Sequence, residues 1–327
     1  MRSFRRRQFL ALASALPVAA ATGAATAADR PSEIVIDWAT YNPVSLLLKD
    51  RGWVEEALGK DGINVRWVQS AGSNKALEFL NAGSIQFGST AGAAALLGRI
   101  NGNPIRSVYA YSQPEWTALV TRPDSGITKV EDLKGRRVAA TKGTDPYIFL
   151  LRALDKHGLA VSDIQLVLLQ HDQGRVALER GDVDAWAGLD PMMAATELEM
   201  GNKLFYRDFS ANTWGILNVP ESFAEAHPDI VQNVIGLYER GRALALQEPA
   251  VVTKLLAKAA RLPETVAARQ LERTKLDNPR IGEAQHSSIA AAGKALQVAG
   301  VIKPEVDIEA MTAALLDRRF TLTLASR

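Results

Sequence analysis

Val176-Ala177-Leu178-Glu179-Arg180-Gly181-Asp182-Val183-Asp184-Ala185-Trp186-Ala187-Gly188-Leu189-Asp190-Pro191 is the stretch that decides the fold. Apolar residues at helical spacing run up to Gly181, and Asp184 to Gly188 then reads as a short buried strand. About a hundred residues earlier Ala76-Leu77-Glu78-Phe79-Leu80-Asn81-Ala82-Gly83-Ser84-Ile85-Gln86-Phe87-Gly88 makes the same move. In both, an amphipathic helix stops at glycine and turns at once into a strand, which predicts two lobes of like construction.

Outward from these two units, short β-branched runs alternate with helical ones, the pattern that builds mostly parallel sheets from βαβ units. Strands are predicted at Glu33 to Trp38, Ile63 to Val68, Ile85 to Gly88, Ile105 to Tyr111, Arg137 to Ala140, Ile164 to Leu169 and Asp184 to Gly188. Helices are predicted at Val44 to Leu58, Lys75 to Ala82, Thr90 to Arg99, Pro146 to His157, Arg175 to Arg180 and Pro191 to Met200. Beyond His227 the texture becomes Ala, Leu, Glu, Lys and Arg with prolines near helix starts, so the tail reads as a helical cover. Trp116 to Val120 and Thr213 to Val219 are apolar and extended in character, and read as two segments crossing between lobes. The chain is therefore expected to build lobe one over 28–118, lobe two over 119–215, and to finish on lobe one over 216–327.

Residues 1–27 read as an export signal. Arg5-Arg6-Arg7-Gln8-Phe9-Leu10 precedes an alanine-rich run to Ala21, and Ala25-Thr26-Ala27 offers a small-residue cleavage site. The order Arg-Arg-x-Phe-Leu resembles the twin-arginine signal, which implies a soluble periplasmic protein. Removing the segment takes away four arginines and no acids, so a formal charge of +2 becomes −2. A near-neutral chain without basic runs or interleaved aromatics offers no footprint for nucleic acid. With no cysteine, disulfides, thiolate metal sites and cysteine nucleophiles are excluded.

In an open parallel sheet, ligands bind where loops and helix starts meet at the carboxyl ends of strands. Those edges are Tyr41-Asn42-Pro43, Ser70 to Ser73, Ser89 to Gly92, Thr141 to Pro146, Gln170 to Gln173 and Leu189-Asp190-Pro191. They are small and polar, which suits an oxyanion held by amides and helix dipoles, although the same residues serve as ordinary caps and turns. Asp190-Pro191 reads equally as a helix cap or as a cleft carboxylate. Trp186 and Trp116 both offer cover for an apolar ligand moiety, and Trp186 is favoured by its nearness in sequence to Asp190. His171 reads as a solvated or capping loop residue, Lys142 as solvated, and Glu115 as facing either an ammonium group or water.

These stretches, together with Leu133-Lys134-Gly135-Arg136-Arg137-Val138-Ala139-Ala140-Thr141-Lys142-Gly143-Thr144, resemble the aliphatic sulfonate, nitrate and taurine group of periplasmic substrate-binding proteins for ABC importers. Most of the chain after the signal takes part, and the Gly-Asp-Val-Asp-Ala-Trp to Asp-Pro block is the most specific portion. The resemblance implies the type II two-lobed binding-protein fold, two crossing strands as a hinge, an inner-membrane permease as partner, a monomer, and no cofactor, metal or catalytic residue. By position it points to Tyr41, Asn42, Gly72, Ser89, Thr90, Gly143, Thr144, Trp186 and Asp190 as ligand-binding residues, with Trp116 beside them. No cysteine follows the signal to carry a lipid anchor. Gln170-His171-Asp172 replaces the proline-containing loop of the group, which leaves open an alkanesulfonate, taurine, a sulfate ester, nitrate or an aromatic acid. The alternative is a pyrimidine-precursor synthase-like or pyrimidine-binding member of the same fold, for which four dispersed histidines are a poor basis.

Overall fold

A computed structural model describes residues 30–321. The proposed export signal lies outside the described residues.

Two sheets form. The first takes β1 (Glu33–Trp38), β2 (Asn64–Gln69), β3 (Gly88–Ala91), β4 (Ile105–Pro114), β10 (Gly215–Pro220) and β11 (Thr274–Lys275). β2 and β1 pair in parallel, β1 meets β3 through an Ile36–Phe87 bridge, and β10 lies between β3 and β4 with β11 outside β4. The second runs β7-β6-β8-β5-β9, from β5 (Leu119–Thr121), β6 (Arg137–Ala140), β7 (Gln165–Leu168), β8 (Ala185–Ala187) and β9 (Lys203–Tyr206). β10 in the first sheet and β5 in the second run antiparallel to their neighbours. Each is the strand on which the chain arrives directly from the other lobe, so its direction is set by the crossing and not by a βαβ step.

The helices are α1 (Pro43–Arg51), α2 (Trp53–Gly59), α3 (Ser73–Asn81), α4 (Gly92–Ile100), α5 (Asp145–Lys156), α6 (His171–Arg180) and α7 (Met192–Met200), followed by six more. Those six are α8 (Glu221–Ala226), α9 (Pro228–Gln247), α10 (Pro249–Ala260), α11 (Glu264–Glu272), α12 (Glu283–Val298) and α13 (Ile308–Leu315). Leu47, Leu48, Ile34 and Ile36 are fully buried in the core under α1 and α9, each contributing about 1.5–3 kcal/mol by leaving water. The tail is a cover with one exception, since β11 adds two residues to the edge of β4. It also reaches beyond the first lobe: α11 packs on α7, and α12 packs on both α4 and α5.

The structure differs from the sequence reading in several places, including β9 and β11, which were not predicted, and α4, which starts at Gly92 and not Thr90. The helix predicted over Val44 to Leu58 is two helices, because Gly52 adopts φ +63° between them. The strand predicted at Ile85 to Gly88 starts only at Gly88, leaving Thr90 and Ala91 in the sheet. The crossing segments are shorter than read, since Leu119 to Thr121 and Gly215 to Pro220 are already sheet. Finally α6 starts at His171 and not Arg175. Gly174 masked that start, and the reason is tertiary: a Cβ on Gly174 would lie 2.6 Å from the Trp186 indole nitrogen, so only glycine lets this helix lie on the strand.

Candidate functional site

Three helix starts converge where the two lobes face each other. From lobe one comes α3, entered through Gly72 and Ser73, with the Ser73 hydroxyl accepting from the Ala91 amide at 3.0 Å. From lobe two come α5, capped by Thr144, and α6, capped by Gln170. The first amides of any helix lack an intrahelical acceptor and carry the positive end of its dipole. The Gly143 amide makes no hydrogen bond among the described residues, and the Thr144 hydroxyl is turned away, donating to the Thr141 carbonyl at 2.6 Å.

The lobes are in contact across this point. A Cβ on Gly143 would sit 3.7 Å from Asn74 Cβ, and one on Gly72 would sit 3.0 Å from His171 Nε2. Asn74 Nδ2 lies 3.5 Å from Gln170 Oε1 across the cleft. Between the lobes lies an inner cavity of about 10 Å³ lined by Tyr41, Ser73, Trp116, Thr144 and His171. Outside it opens a groove of about 560 Å³ that shares His171 and adds Gln69, Lys75, Gln170 and Arg175. The inner space suits no more than about one water in this position of the lobes.

Behind the cavity stands a buried carboxylate. Asp145 accepts from Trp116 Nε1 at 2.9 Å, from the Thr213 amide at 2.9 Å and from the Thr213 hydroxyl at 2.7 Å. Trp116 and Thr213 belong to the two crossing segments, so one side chain of lobe two pins both. Thr213 Oγ1 also accepts from the Ala93 amide of lobe one at 3.2 Å. Burial pushes the Asp145 carboxyl up, and these donors pull it back. The crossing segments are further joined by Asn212 Oδ1, which accepts from the Thr117 amide at 3.0 Å. Nearby Arg207 grips both oxygens of Glu115 at 2.9 and 2.6 Å, so Glu115 does not stand free.

Of the residues picked from sequence, Tyr41, Gly72, Trp116, Gly143 and Thr144 come together at the cleft. Tyr41 packs edge-on against Trp116, with ring centroids 5.9 Å apart, and donates to the Ser89 carbonyl at 3.0 Å. Asn42, Ser89 and Thr90 sit one layer deeper in lobe one. Asn42 caps α1 and donates to the Ser89 hydroxyl at 2.8 Å, Ser89 donates to Asp37 at 2.7 Å, and Thr90 accepts from Asn218 at 2.8 Å. Their polar atoms are occupied in holding the sheet to its helices. Trp186 is fully buried in the core of lobe two with Val120, Leu178 and Met193, so of the two tryptophans it is Trp116 that meets the cavity.

Asp190 is fully buried; its Oδ1 accepts from the Ala194 amide at 2.9 Å, the capping role. Its Oδ2 lies 3.6 Å from Arg273, which also pairs with Glu197. Burial pushes the Asp190 carboxyl up to about 7 despite Arg273. Because Arg273 leads into β11 of lobe one and Asp190 starts α7 of lobe two, the pair is a clasp between lobes. Lys142 is exposed.

The sequence reading held Ser73, Asp145 and His171 within its candidate loops without choosing them, and passed over Asn74. His171 is not a solvated loop residue: it is 1% exposed, and burial pushes its imidazole down to about 3. The start of the helix after a parallel strand was the signal available for it. Among the described residues no cluster of His, Asp or Glu is built to hold a metal, and no helix is long and apolar enough to cross a membrane.

Two α/β lobes joined by paired crossing segments, closing over a cleft ringed by helix starts, define a bilobal ligand-binding protein. The chain belongs to the NMT1/THI5-like family, whose model matches residues 47–251. It is 31% identical over 265 residues to an Escherichia coli K12 protein named as aliphatic sulfonates-binding, covering 80% of this chain and 82% of that one. Its fold is similar to that of the alkanesulfonate-binding protein SsuA from Xanthomonas axonopodis pv. citri bound to MOPS, with a TM-score of 0.80, 26% identity, and 89% and 100% of the two chains covered. A more distant likeness, 25% over 159 residues, joins it to the 4-amino-5-hydroxymethyl-2-methylpyrimidine phosphate synthase of Schizosaccharomyces pombe, covering 49% of this chain and 44% of that one.

Proposed function

We propose that this protein is a periplasmic solute-binding protein that seats a small organic oxyanion, an aliphatic sulfonate, between its lobes and delivers it as a monomer to an ABC importer. The observation that carries this reading is the convergence of the α3, α5 and α6 starts on one cavity walled by Trp116 and Tyr41. Such a site offers amide donors and positive dipole ends to a sulfonate and aromatic surface to its alkyl part. The sulfonate-binding relatives support the choice of anion. Binding, not catalysis, is supported by the histidines. His157 pairs with Glu131, His227 packs on Phe223 and His286 lies beside Glu283 and Glu309, leaving His171 alone at the cleft. In this reading the ligand enters with the lobes apart, and the ligand-binding residues are Tyr41, Gly72, Trp116, Gly143 and Thr144.

The test is calorimetric titration of the protein with alkanesulfonates, nitrate, benzoate and aminopyrimidines. Micromolar or tighter binding of a sulfonate, with nitrate and pyrimidines at least about tenfold weaker, is expected. Tight binding of an aminopyrimidine alone would move the protein to the synthase-like branch. Export through the twin-arginine route predicts that changing Arg6 and Arg7 to Lys traps the precursor in the cytoplasm, and normal export of that variant removes this part of the reading.

A further inference from the structure

His171 is buried at the junction of the inner cavity and the outer groove, and its two ring nitrogens have different fates. Nδ1 lies 3.1 Å from Thr141 Oγ1. The Thr141 hydroxyl has one proton and gives it to the Leu169 carbonyl at 2.8 Å. It therefore meets the imidazole as an acceptor, and Nδ1 must carry the hydrogen. A neutral imidazole protonated on Nδ1 leaves Nε2 as a bare acceptor. Burial favours that neutral form.

Nε2 has no partner in the protein, and neither does the buried Asn74 Oδ1 on the opposite lobe. Both lie over the same face of Gly72: a Cβ there would be 2.8 Å from Asn74 Oδ1 and 3.0 Å from His171 Nε2. Two orphaned acceptors, one from each lobe, thus lie together over Gly72 beside the inner cavity that His171 lines. A second contact fixes the spacing, because Thr141 holds His171 through its hydroxyl and Thr144 through its carbonyl.

We propose that His171 Nε2 and Asn74 Oδ1 form an acceptor subsite beside the oxyanion cradle, selecting alkanesulfonates that also carry a hydroxyl or ammonium donor. The inference rests on the sulfonate reading above and narrows it. An acceptor buried in a closed cleft without a donor opposes closure, so a ligand that supplies the donor closes the lobes more favourably than its unsubstituted analogue. Nothing acidic is needed: two neutral acceptors serve a hydroxyl as well as an ammonium group.

Calorimetric titration with ethanesulfonate, 2-hydroxyethanesulfonate and taurine tests it, on the wild type and on His171→Phe and His171→Gln, with a melting curve for each. The wild type is expected to bind the hydroxyl or amino compound at least about tenfold tighter than ethanesulfonate. His171→Phe is expected to erase that preference, bringing the three affinities within about threefold of one another. His171→Gln, whose carbonyl oxygen replaces the acceptor, is expected to keep part of the preference. Equal wild-type affinities for the three compounds, or a folded His171→Phe protein that keeps the preference, overturns the subsite and leaves the sulfonate reading intact. Binding of none of the three overturns both.

Discussion

Asp145, the first residue of α5 in lobe two, takes two hydrogen bonds from Thr213, the residue at which the chain returns to lobe one, and a third from Trp116, where it first left. The carboxylate that opens α5 thus also fixes the two crossing segments and the indole that lines the inner cavity. Asp145→Asn puts an amide among three donors, so at least one of them loses its acceptor in a buried place. We expect a loss of about 2–4 kcal/mol in stability and a Trp116 fluorescence change. A variant as stable as the wild type would show that the hinge is held elsewhere.

Gly72 separates the lobes by the width of a hydrogen. Its φ of 160° is extended backbone open to any residue, so Gly72→Ala strains no dihedral but drives a methyl against His171 Nε2 and Asn74 Oδ1. The lobes fold independently of that contact and are expected to stay apart. Small-angle scattering should show a larger radius of gyration than the wild type, unchanged by a sulfonate that contracts the wild type, and affinity at least about tenfold weaker. A radius equal to the wild type's sinks the idea.

Gly143 has φ +78°, so every side chain there meets backbone strain and a simple Gly143→Asp test confounds strain with charge. Asn and Asp tolerate this conformation best and are alike in shape. Gly143→Asn should bind a sulfonate within a few-fold of wild type at a small cost in melting temperature. Gly143→Asp should bind at least about tenfold more weakly than Gly143→Asn, because its carboxylate faces the oxyanion beside the α5 start. Equal affinities in the two variants would remove the oxyanion from this loop.

Two buried groups titrate with opposite sign. Asp190 is pushed up from 3.8 to about 7, so folding takes up a proton there: the stability it contributes is full below about 4 and is lost as pH rises through about 7. His171 is pushed down from 6.5 to about 3, so its contribution is full above about 6.5 and is lost as pH falls toward 3. Between pH 7.5 and 5, the melting temperature of the wild type is expected to rise relative to Asp190→Asn and to fall relative to His171→Gln. Differences that do not change with pH would contradict both assignments.

Much of the fold was legible in the chain. β1 and β6 fall where the β-branched runs Glu33 to Trp38 and Arg137 to Ala140 placed them, because both strands are buried and so are written almost without interruption in apolar residues. The repeated helix, glycine and strand unit anticipated two lobes because it is a local pattern: α3 and α6 each carry one apolar face, and Gly181 ends α6 in the left-handed conformation. The loops that meet at the cleft were also legible, since strand ends and helix starts are set by local chemistry.

Which residue of each loop faces its partner lobe was decided only by tertiary structure. Trp186 and Trp116 look alike in sequence, but the antiparallel pairing of β8 with β5 turns the first into a core, while Asp145 holds the second at the hinge. Gly174 reads as a helix breaker until the indole it accommodates is brought from a strand 12 positions later. Asp190 needed Arg273 to acquire a partner from the other lobe, and His171 needed Thr141 to acquire a defined tautomer. Sequence sets periodicity, caps and turns, which depend on neighbours along the chain. Burial, hydrogen-bond partners and pKa depend on residues brought close only when the two lobes pack, and these are what make a cleft into a site.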